Sequence, residues 1–100
     1  MASFAAGDSV QIPCEVQVGA FPTECLITFE TLEGRVSGFV RREALRDISG
    51  SKGFLPATVV DVKKDTITVR VQGSFFTTTG LAYLKRDWAD SNVRPLRAVA

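Results

Sequence analysis

The chain has 100 residues, 45% of them hydrophobic and 23% charged, and a formal net charge of +1. That length suits one ordinary domain, and the composition is that of a globular chain rather than a disordered one. No run approaches the roughly 20 consecutive apolar residues that a membrane span needs. We therefore expect one folded domain over residues 1–100, without a membrane partner.

Missing residue types exclude several kinds of chemistry. The chain has no histidine, which is the usual general base near neutral pH and the commonest metal ligand. Cys14 and Cys25 have no soft ligands beside them, and phosphate-loop, dinucleotide and nucleophile-elbow motifs are missing. We predict that the protein is not an enzyme and has no metal or cofactor; a carboxylate acting with Tyr83 is the remaining catalytic alternative. The low cysteine count predicts a cytoplasmic location and inert thiols.

Charge is unevenly distributed along the chain. Residues 1–34 contain five acids and no base, whereas residues 35–100 contain twelve bases and six acids. Segregated charge can steer a partner or let two copies meet across a two-fold axis. We expect the fold to interleave the acidic strands with the rest of the chain, which leaves a basic patch near 41–46 and 94–97.

Alternating apolar residues predict a long, half-buried first strand over residues 10–18. Pro13 has no backbone N–H, so the strand should have an edge, a bulge or a bend at that point. A loop at 19–22 leads to a second strand, Glu24–Thr31, which is rich in β-forming residues. On these strands the two cysteines would lie opposite or diagonal to each other.

A turn after the second strand sets the register of the next hairpin. A three-residue loop, Leu32-Glu33-Gly34, with its glycine in the left-handed conformation, would pair Ile27 with Phe39. A two-residue Glu33-Gly34 turn would pair Ile27 with Val40 instead. We favour the three-residue loop.

The middle of the chain contains the clearest hairpin. Residues 42–47 can form one or two helical turns, and 48–53 has the composition of a flexible surface loop. Residues 57–63 and 66–72 then form a hairpin, because pairing them about a two-residue Lys64-Asp65 turn separates apolar from polar side chains. This turn lacks the preferred glycine, so a longer loop with a bulge is the alternative. The predicted apolar face consists of Thr58, Val60, Val62, Ile67, Val69 and Val71.

The last third is less regular. A strand-like run begins at Ser74. Apolar residues at helical spacing predict a short helix over 81–89. Residues 92–99 form a closing edge strand, where Pro95 is tolerated.

These elements predict a mainly β fold: a small, partly closed barrel of five to six antiparallel strands with one or two short helical turns. Closure lets so small a sheet hide its edges. Four segments carry a family pattern: Gly7-Asp8-Ser9-Val10, Pro56-Ala-Thr-Val-Val-Asp-Val, Asp65-Thr-Ile-Thr-Val-Arg-Val and Asn92-Val-Arg-Pro-Leu-Arg97. Over residues 53–97 this pattern resembles the Tudor/Agenet-type branch of the SH3-like barrels, and the resemblance implies an SH3-like fold.

Aromatic and basic residues are the candidates for a binding site. Aromatic rings on a small barrel can stack on bases or hold a cation, and groups of arginines can form a phosphate-binding track. The same residue types also fill cores and solvate surfaces. The predicted binding residues are Phe54, Phe75, Phe76, Trp88, Arg41, Arg42, Arg94 and Arg97.

We expect the chain to be a non-catalytic module that binds protein or its own copy, in the latter case as a homodimer. An aromatic patch rimmed by arginines would form the contact surface. The alternative is a nucleic-acid-binding domain that uses the basic second half together with aromatic stacking.

Overall fold

A computed structural model shows the fold and describes residues 4–19, 21–71, 74–75 and 80–95. These residues form nine β-strands, one 3₁₀ turn and one short α-helix. The 3₁₀ turn is Arg42–Ala44, between β3 and β4, and helix α1 is Arg86–Asn92, between β8 and β9. The strands are β1 (Ser9–Val18), β2 (Glu24–Thr31), β3 (Gly34–Arg41), β4 (Arg46–Ser49), β5 (Lys52–Val62), β6 (Thr66–Val71), β7 (Ser74–Phe75), β8 (Leu81–Lys85) and β9 (Arg94–Pro95).

The strands form one antiparallel sheet that curls into a half-barrel. Their order is β7-β3-β2-β1-β5-β6-β8, with β4 paired to β5 and β9 paired to β1. The backbone N–H of Leu32 donates a hydrogen bond to the carbonyl of Tyr83 (2.8 Å), which brings the end of β2 against β8. The predicted mainly β, antiparallel, partly closed architecture is confirmed.

The core lies inside the curl of the sheet. Alternate side chains of the strands point inward, and helix α1 adds Ala89. Complete burial of one large aliphatic side chain stabilises the fold by about 1.5–3 kcal/mol. The largest fully buried side chains are Ile12, Ile27, Leu55, Ile67, Leu84, Val10, Val59 and Val69.

Strand β1 changes neighbours along its length. It pairs with β5 over residues 9–15, while its other edge pairs with β9 at residues 10–11 and with β2 at residues 15–18. Pro13 lies in the gap between the last two pairings, opposite Phe54 of β5. Because proline has no N–H to donate, this break in the ladder is where it is tolerated. The prediction for Pro13 is confirmed.

The register of β2 and β3 differs from both predicted pairings. Ile27 lies opposite Gly38 rather than opposite Phe39 or Val40. Val40 is therefore buried, and Phe39 is exposed on the outer face. The predicted three-residue loop is wrong, because Thr31 pairs with Gly34 and only two residues separate them.

Side-chain chemistry at the turn accounts for this register. The hydroxyl of Thr31 donates to the carbonyl of Gly34 (2.7 Å) and accepts from the N–H of Glu33 (3.2 Å). Gly34 has a φ of 106°, a conformation that glycine adopts without a steric penalty. Gly34 therefore begins β3 instead of ending the loop.

The predicted β5–β6 hairpin forms, but a bulge reverses its faces. Near the turn, Val62 keeps the expected partner on β6. The register then shifts between Val59 and Asp61, so that Val59 is buried and Val60 is only half-buried. The predicted inward positions Thr58 and Val60 are wrong, because one extra residue in a strand moves every later side chain to the opposite face.

The predicted helix over 81–89 is wrong in its first half. Residues 81–85 form β8, which pairs with β6, and the helix comprises Arg86–Asn92. Leu84 and Ala82 are buried and alternate with exposed neighbours, which satisfies a strand pattern as well as a helical one. Residues 81–85 form a strand because the edge of β6 is available for them to pair with.

Other irregular segments are more ordered than predicted. One helical turn forms at Arg42–Ala44, within the predicted range. Residues 48–53 contain an exposed turn between β4 and β5, where Ser49 pairs with Lys52, so strand residues occupy part of the predicted surface loop. The closing strand forms at Arg94–Pro95 and pairs with β1, and its predicted continuation lies outside the described residues.

Acidic and basic strands lie next to each other. The acidic strands β1 and β2 are adjacent in the middle of the sheet, and their other neighbours are β3 and β5. Arg35 of β3 forms ion pairs with Glu15 of β1 and with Glu30 of β2. The expected interleaving of the acidic strands with the rest of the chain is wrong, because β1 and β2 pair with each other.

Candidate functional site

The loop between β1 and β2 forms a narrow tip. The N–H of Gly19 donates to the carbonyl of Glu24 (3.1 Å), and the N–H of Glu24 donates to the carbonyl of Phe21 (3.1 Å). A Cβ atom added at Gly19 would lie 2.8 Å from the carbonyl oxygen of Glu24, so this approach requires glycine. The backbone of the tip is thus closed on itself, which leaves its side chains directed outward.

Two apolar side chains stand out at this tip. Val18 is 85% exposed and Phe21 is 62% exposed, the highest values among the large apolar residues that the structure describes. Val18 is the last residue of β1, and Phe21 lies within the loop itself. Isolated apolar residues are common on surfaces, but two highly exposed ones at a single loop make that loop a candidate contact surface.

The 3₁₀ turn and β4 form the wall opposite the tip. The N–H of Arg42 donates to the carbonyl of Thr23 (2.8 Å), which extends the pairing of β2 and β3 by one residue. Leu45 is buried and anchors the segment that follows. Ile48 packs over Gly53, where an added Cβ would lie 3.4 Å from the Ile48 side chain.

A cleft of about 740 Å³ lies between the tip and this wall. Its volume is within the range of ligand-binding clefts, roughly 300–1,000 Å³. We call it the arginine cleft; it is lined by Pro22, Thr23, Glu24, Arg41, Arg42, Glu43 and Ile48.

The charges of the arginine cleft are balanced in number but only partly paired. Arg41 contacts Glu43, with 3.4 Å between Nη1 and Oε1, and both side chains are largely exposed. Such exposed pairs contribute about 0–1 kcal/mol. Within the described part of the chain, the side chains of Glu24 and Arg42 make no ion pair or hydrogen bond. The cleft therefore offers one carboxylate and one guanidinium to a partner.

Two of the predicted site residues, Phe54 and Arg94, are in contact with each other. The guanidinium carbon of Arg94 lies 3.6 Å from the centroid of the Phe54 ring. Arg94 Nε also donates to the side-chain oxygen of Gln11 (2.6 Å), and the guanidinium forms an ion pair with Asp47. Asp47 has a φ of 50°, which is uncommon outside glycine. These contacts fasten β9 to β1, β4 and β5.

Trp88 lies at a second, smaller cleft. It is half-buried on α1 and packs against the core. This cleft has a volume of about 360 Å³ and lies where β1 and β2 separate; it is lined by Pro13, Cys14, Glu15, Thr28, Phe29, Glu30, Arg35, Lys52, Trp88 and Asn92. Two of its glutamates, Glu15 and Glu30, already form ion pairs with Arg35.

The other predicted residues fall in different places. Arg41 and Arg42 lie together in the arginine cleft. Phe75 belongs to β7 and its backbone pairs with Gly38 of β3. Phe76 and Arg97 lie outside the described residues. The structure thus places the predicted residues at separate locations, and two of them, Arg41 and Arg42, line the arginine cleft.

Sequence reasoning did not select Val18 and Phe21. The alternation of β1 predicts that Val18 points inward with Val16, and it does not show that the sheet ends before Val18 is covered. Phe21 carried a usable signal, because a phenylalanine inside a turn next to proline has few ways to reach a core.

The two cysteines are buried and free. Cys25 pairs with Val18, so the prediction that it lies opposite or diagonal to Cys14 is wrong; the loop between the strands is longer than that pairing needs. Burial, together with the nearby Cys25 sulfur, raises the pKa of Cys14 from 9.0 to about 11. Its thiol donates to the carbonyl of Gly53 (3.5 Å). A protonated thiol in this position is a poor nucleophile.

Among the residues that the structure describes, no group of three or more Cys, Asp or Glu side chains is arranged to hold a metal ion. No helix in this part of the chain has the length and apolar character needed to cross a membrane.

No protein-family model, curated protein or solved structure matches this chain.

Proposed function

We propose that the protein is a non-catalytic module that binds another protein chain through the arginine cleft and the adjoining β1–β2 tip. The observation that carries this proposal is the joint exposure of Val18 and Phe21 beside a cleft lined by Arg41 and Arg42. Protein interfaces combine apolar anchors with a polar rim that fixes orientation, and aromatic residues and arginine are enriched there.

The charges of the cleft favour protein over nucleic acid. A phosphate-binding track needs bases without neighbouring acids, whereas Arg41 and Arg42 share their cleft with Glu24 and Glu43. Base stacking needs an open ring face, whereas one face of Phe54 is covered by Arg94.

The proposal includes the kind of barrel and the place where it works. We propose an SH3-like barrel, supported by the β5–β6 hairpin and by a short last strand that pairs with the first. We also propose a cytoplasmic protein, since its two cysteines are free and buried.

Site-specific photocrosslinking tests the proposal. A benzoylphenylalanine placed at Phe21 should crosslink a protein in extracts of the source cells, and the Arg42→Glu change should remove that product. The same probe at Tyr83, an exposed aromatic on β8, is the matched control and should give no such product. Crosslinking at Tyr83 alone, or at neither position, would contradict the proposal.

The nucleic-acid alternative is tested with the same purified protein. Titration with single- and double-stranded oligonucleotides should show no saturable binding at low salt. Binding that weakens steeply as salt rises would favour the alternative, because phosphate contacts release counterions.

A further inference from the structure

We infer that the chain binds a second copy of itself, tip to tip across a two-fold axis, with Arg42 of each copy paired to Glu24 of the other. The inference rests on the proposed function, because it names the partner of the same surface. It adds the identity of that partner and the contact that selects it.

The charges of the arginine cleft carry the inference. Two arginines and two glutamates line it, and one pair, Arg41 with Glu43, is made within the copy. The remaining Glu24 and Arg42 have opposite charges and no ionic partner among the described residues. Glu24 would repel an acidic partner, and Arg42 would repel a basic partner. A rotated copy presents the opposite charge to each.

The backbone places both of these charges at the cleft without pairing them within one copy. Glu24 lies opposite Arg41 in the β2–β3 ladder, and the N–H of Arg42 donates to the carbonyl of Thr23. Arg42 begins the 3₁₀ turn instead of continuing β3. The side chains of Glu24 and Arg42 both border the cleft, and no ion pair joins them.

The apolar part of the surface suits the same arrangement. Val18 and Phe21 project from the tip, and Pro22 and Ile48 line the cleft next to it. In a two-fold interface one patch meets its own copy, so it needs both a projecting part and a receiving part. The tip supplies the first and the arginine cleft supplies the second.

A charge-swap experiment on the purified full chain tests the inference. Sedimentation equilibrium should show that the wild-type chain is in equilibrium with a dimer. Arg42→Glu and Glu24→Arg should each weaken dimerisation about tenfold or more, since the symmetry makes either change act twice. An equimolar mixture of the two variants should regain wild-type affinity to within about threefold, because both cross-pairs are then attractive.

Two controls accompany the swap. Arg70→Glu reverses an exposed charge on β6, away from the cleft, and should leave dimerisation unchanged. Phe21→Ser should abolish dimerisation without affecting the fold, because this side chain is mostly exposed. Circular dichroism of each variant separates loss of association from loss of structure.

The outcomes separate this inference from the proposed function. A wild-type chain that stays monomeric at millimolar concentration, or a mixture that fails to regain affinity, overturns the second copy as partner. If the Phe21 probe still captures a different protein in an Arg42-dependent way, the proposed function stands without self-association. A monomer that also crosslinks to nothing contradicts both.

Discussion

At the scale of single residues, Arg94 is an arginine whose contacts are all internal. It stacks on Phe54, donates to the buried amide of Gln11 and pairs with Asp47. The Asp47 contact is exposed and contributes little. The other two contacts matter more, since a buried amide oxygen without a donor costs about 1–3 kcal/mol. This arginine therefore stabilises the fold through its contacts within the chain.

Replacing Arg94 by alanine should lower the free energy of unfolding by about 1–3 kcal/mol, because Gln11 loses its donor and Phe54 its covering cation. Urea unfolding of the purified variant measures the loss. Arg70→Ala, an exposed arginine without such contacts, should change stability by less than about 0.5 kcal/mol. Equal effects of the two changes would show that the Arg94 contacts contribute nothing.

Cys14 gives a prediction about pH. Its pKa is raised to about 11 in the folded chain, whereas the unfolded thiol ionises near 9.0. Between these values the unfolded chain has released a proton that the folded chain still holds, so rising pH favours unfolding. The stability due to this thiol is complete below about pH 9 and is lost towards pH 11.

Unfolding free energies of the wild type and of Cys14→Ala, measured at about pH 8 and about pH 10.5, should therefore converge at the higher pH. Effects of pH on the rest of the chain are common to both proteins and cancel in the comparison. A difference that stays constant with pH would contradict the raised pKa.

At the scale of elements, alternation predicted which strands exist but not how they pair. Strands β1, β2, β3, β5 and β6 follow the sequence pattern closely. The registers of these strands depend on single residues that the alternation of apolar and polar residues does not identify. One is Thr31, whose hydroxyl bonds within a turn, and the other is Val60, which forms the bulge in the next hairpin. Leu84 fits two periods at once, and only the edge of β6 decides between them.

The site was predictable to a similar degree. Arg41 and Arg42 were selected because they are adjacent basic residues, and adjacency in sequence survives folding. Val18 could not be selected, because its exposure depends on where the neighbouring strands end. Phe54 and Arg94 were both predicted to bind a partner. They are forty residues apart in the chain, and the sequence does not show that the Arg94 guanidinium stacks on the Phe54 ring.

Thr31 provides the test of register at this scale. Thr31→Val keeps the shape of the side chain but removes the hydrogen bonds to Gly34 and Glu33, so it should destabilise the protein by about 1–2 kcal/mol. Thr58→Val, an exposed position on β5, is the control and should be nearly neutral. If both variants unfold at the same urea concentration, the hydroxyl does not hold the turn.

At the scale of the whole molecule, the separation of charge along the chain does not become a separation of faces. The acidic strands lie in the middle of the sheet, and Arg35 takes up two of their carboxylates. Charge that is matched inside the fold cannot steer a distant partner. In the arginine cleft, the two charges without an ionic partner among the described residues, Glu24 and Arg42, have opposite signs.

Closure of the half-barrel is the last property of the whole molecule that can be tested. The N–H of Leu32 donates to the carbonyl of Tyr83, although β1, β5 and β6 separate β2 from β8 in the sheet order. The side chain of Leu32 is 43% exposed, so burial of that side chain does not protect the Leu32 amide from hydrogen exchange, and the hydrogen bond to Tyr83 must do so. In hydrogen exchange followed by NMR, the Leu32 amide should exchange on the order of tenfold more slowly than that of Glu33, whose only bond is to the neighbouring Thr31. Equal exchange rates would mean that the curl opens between β2 and β8 in solution.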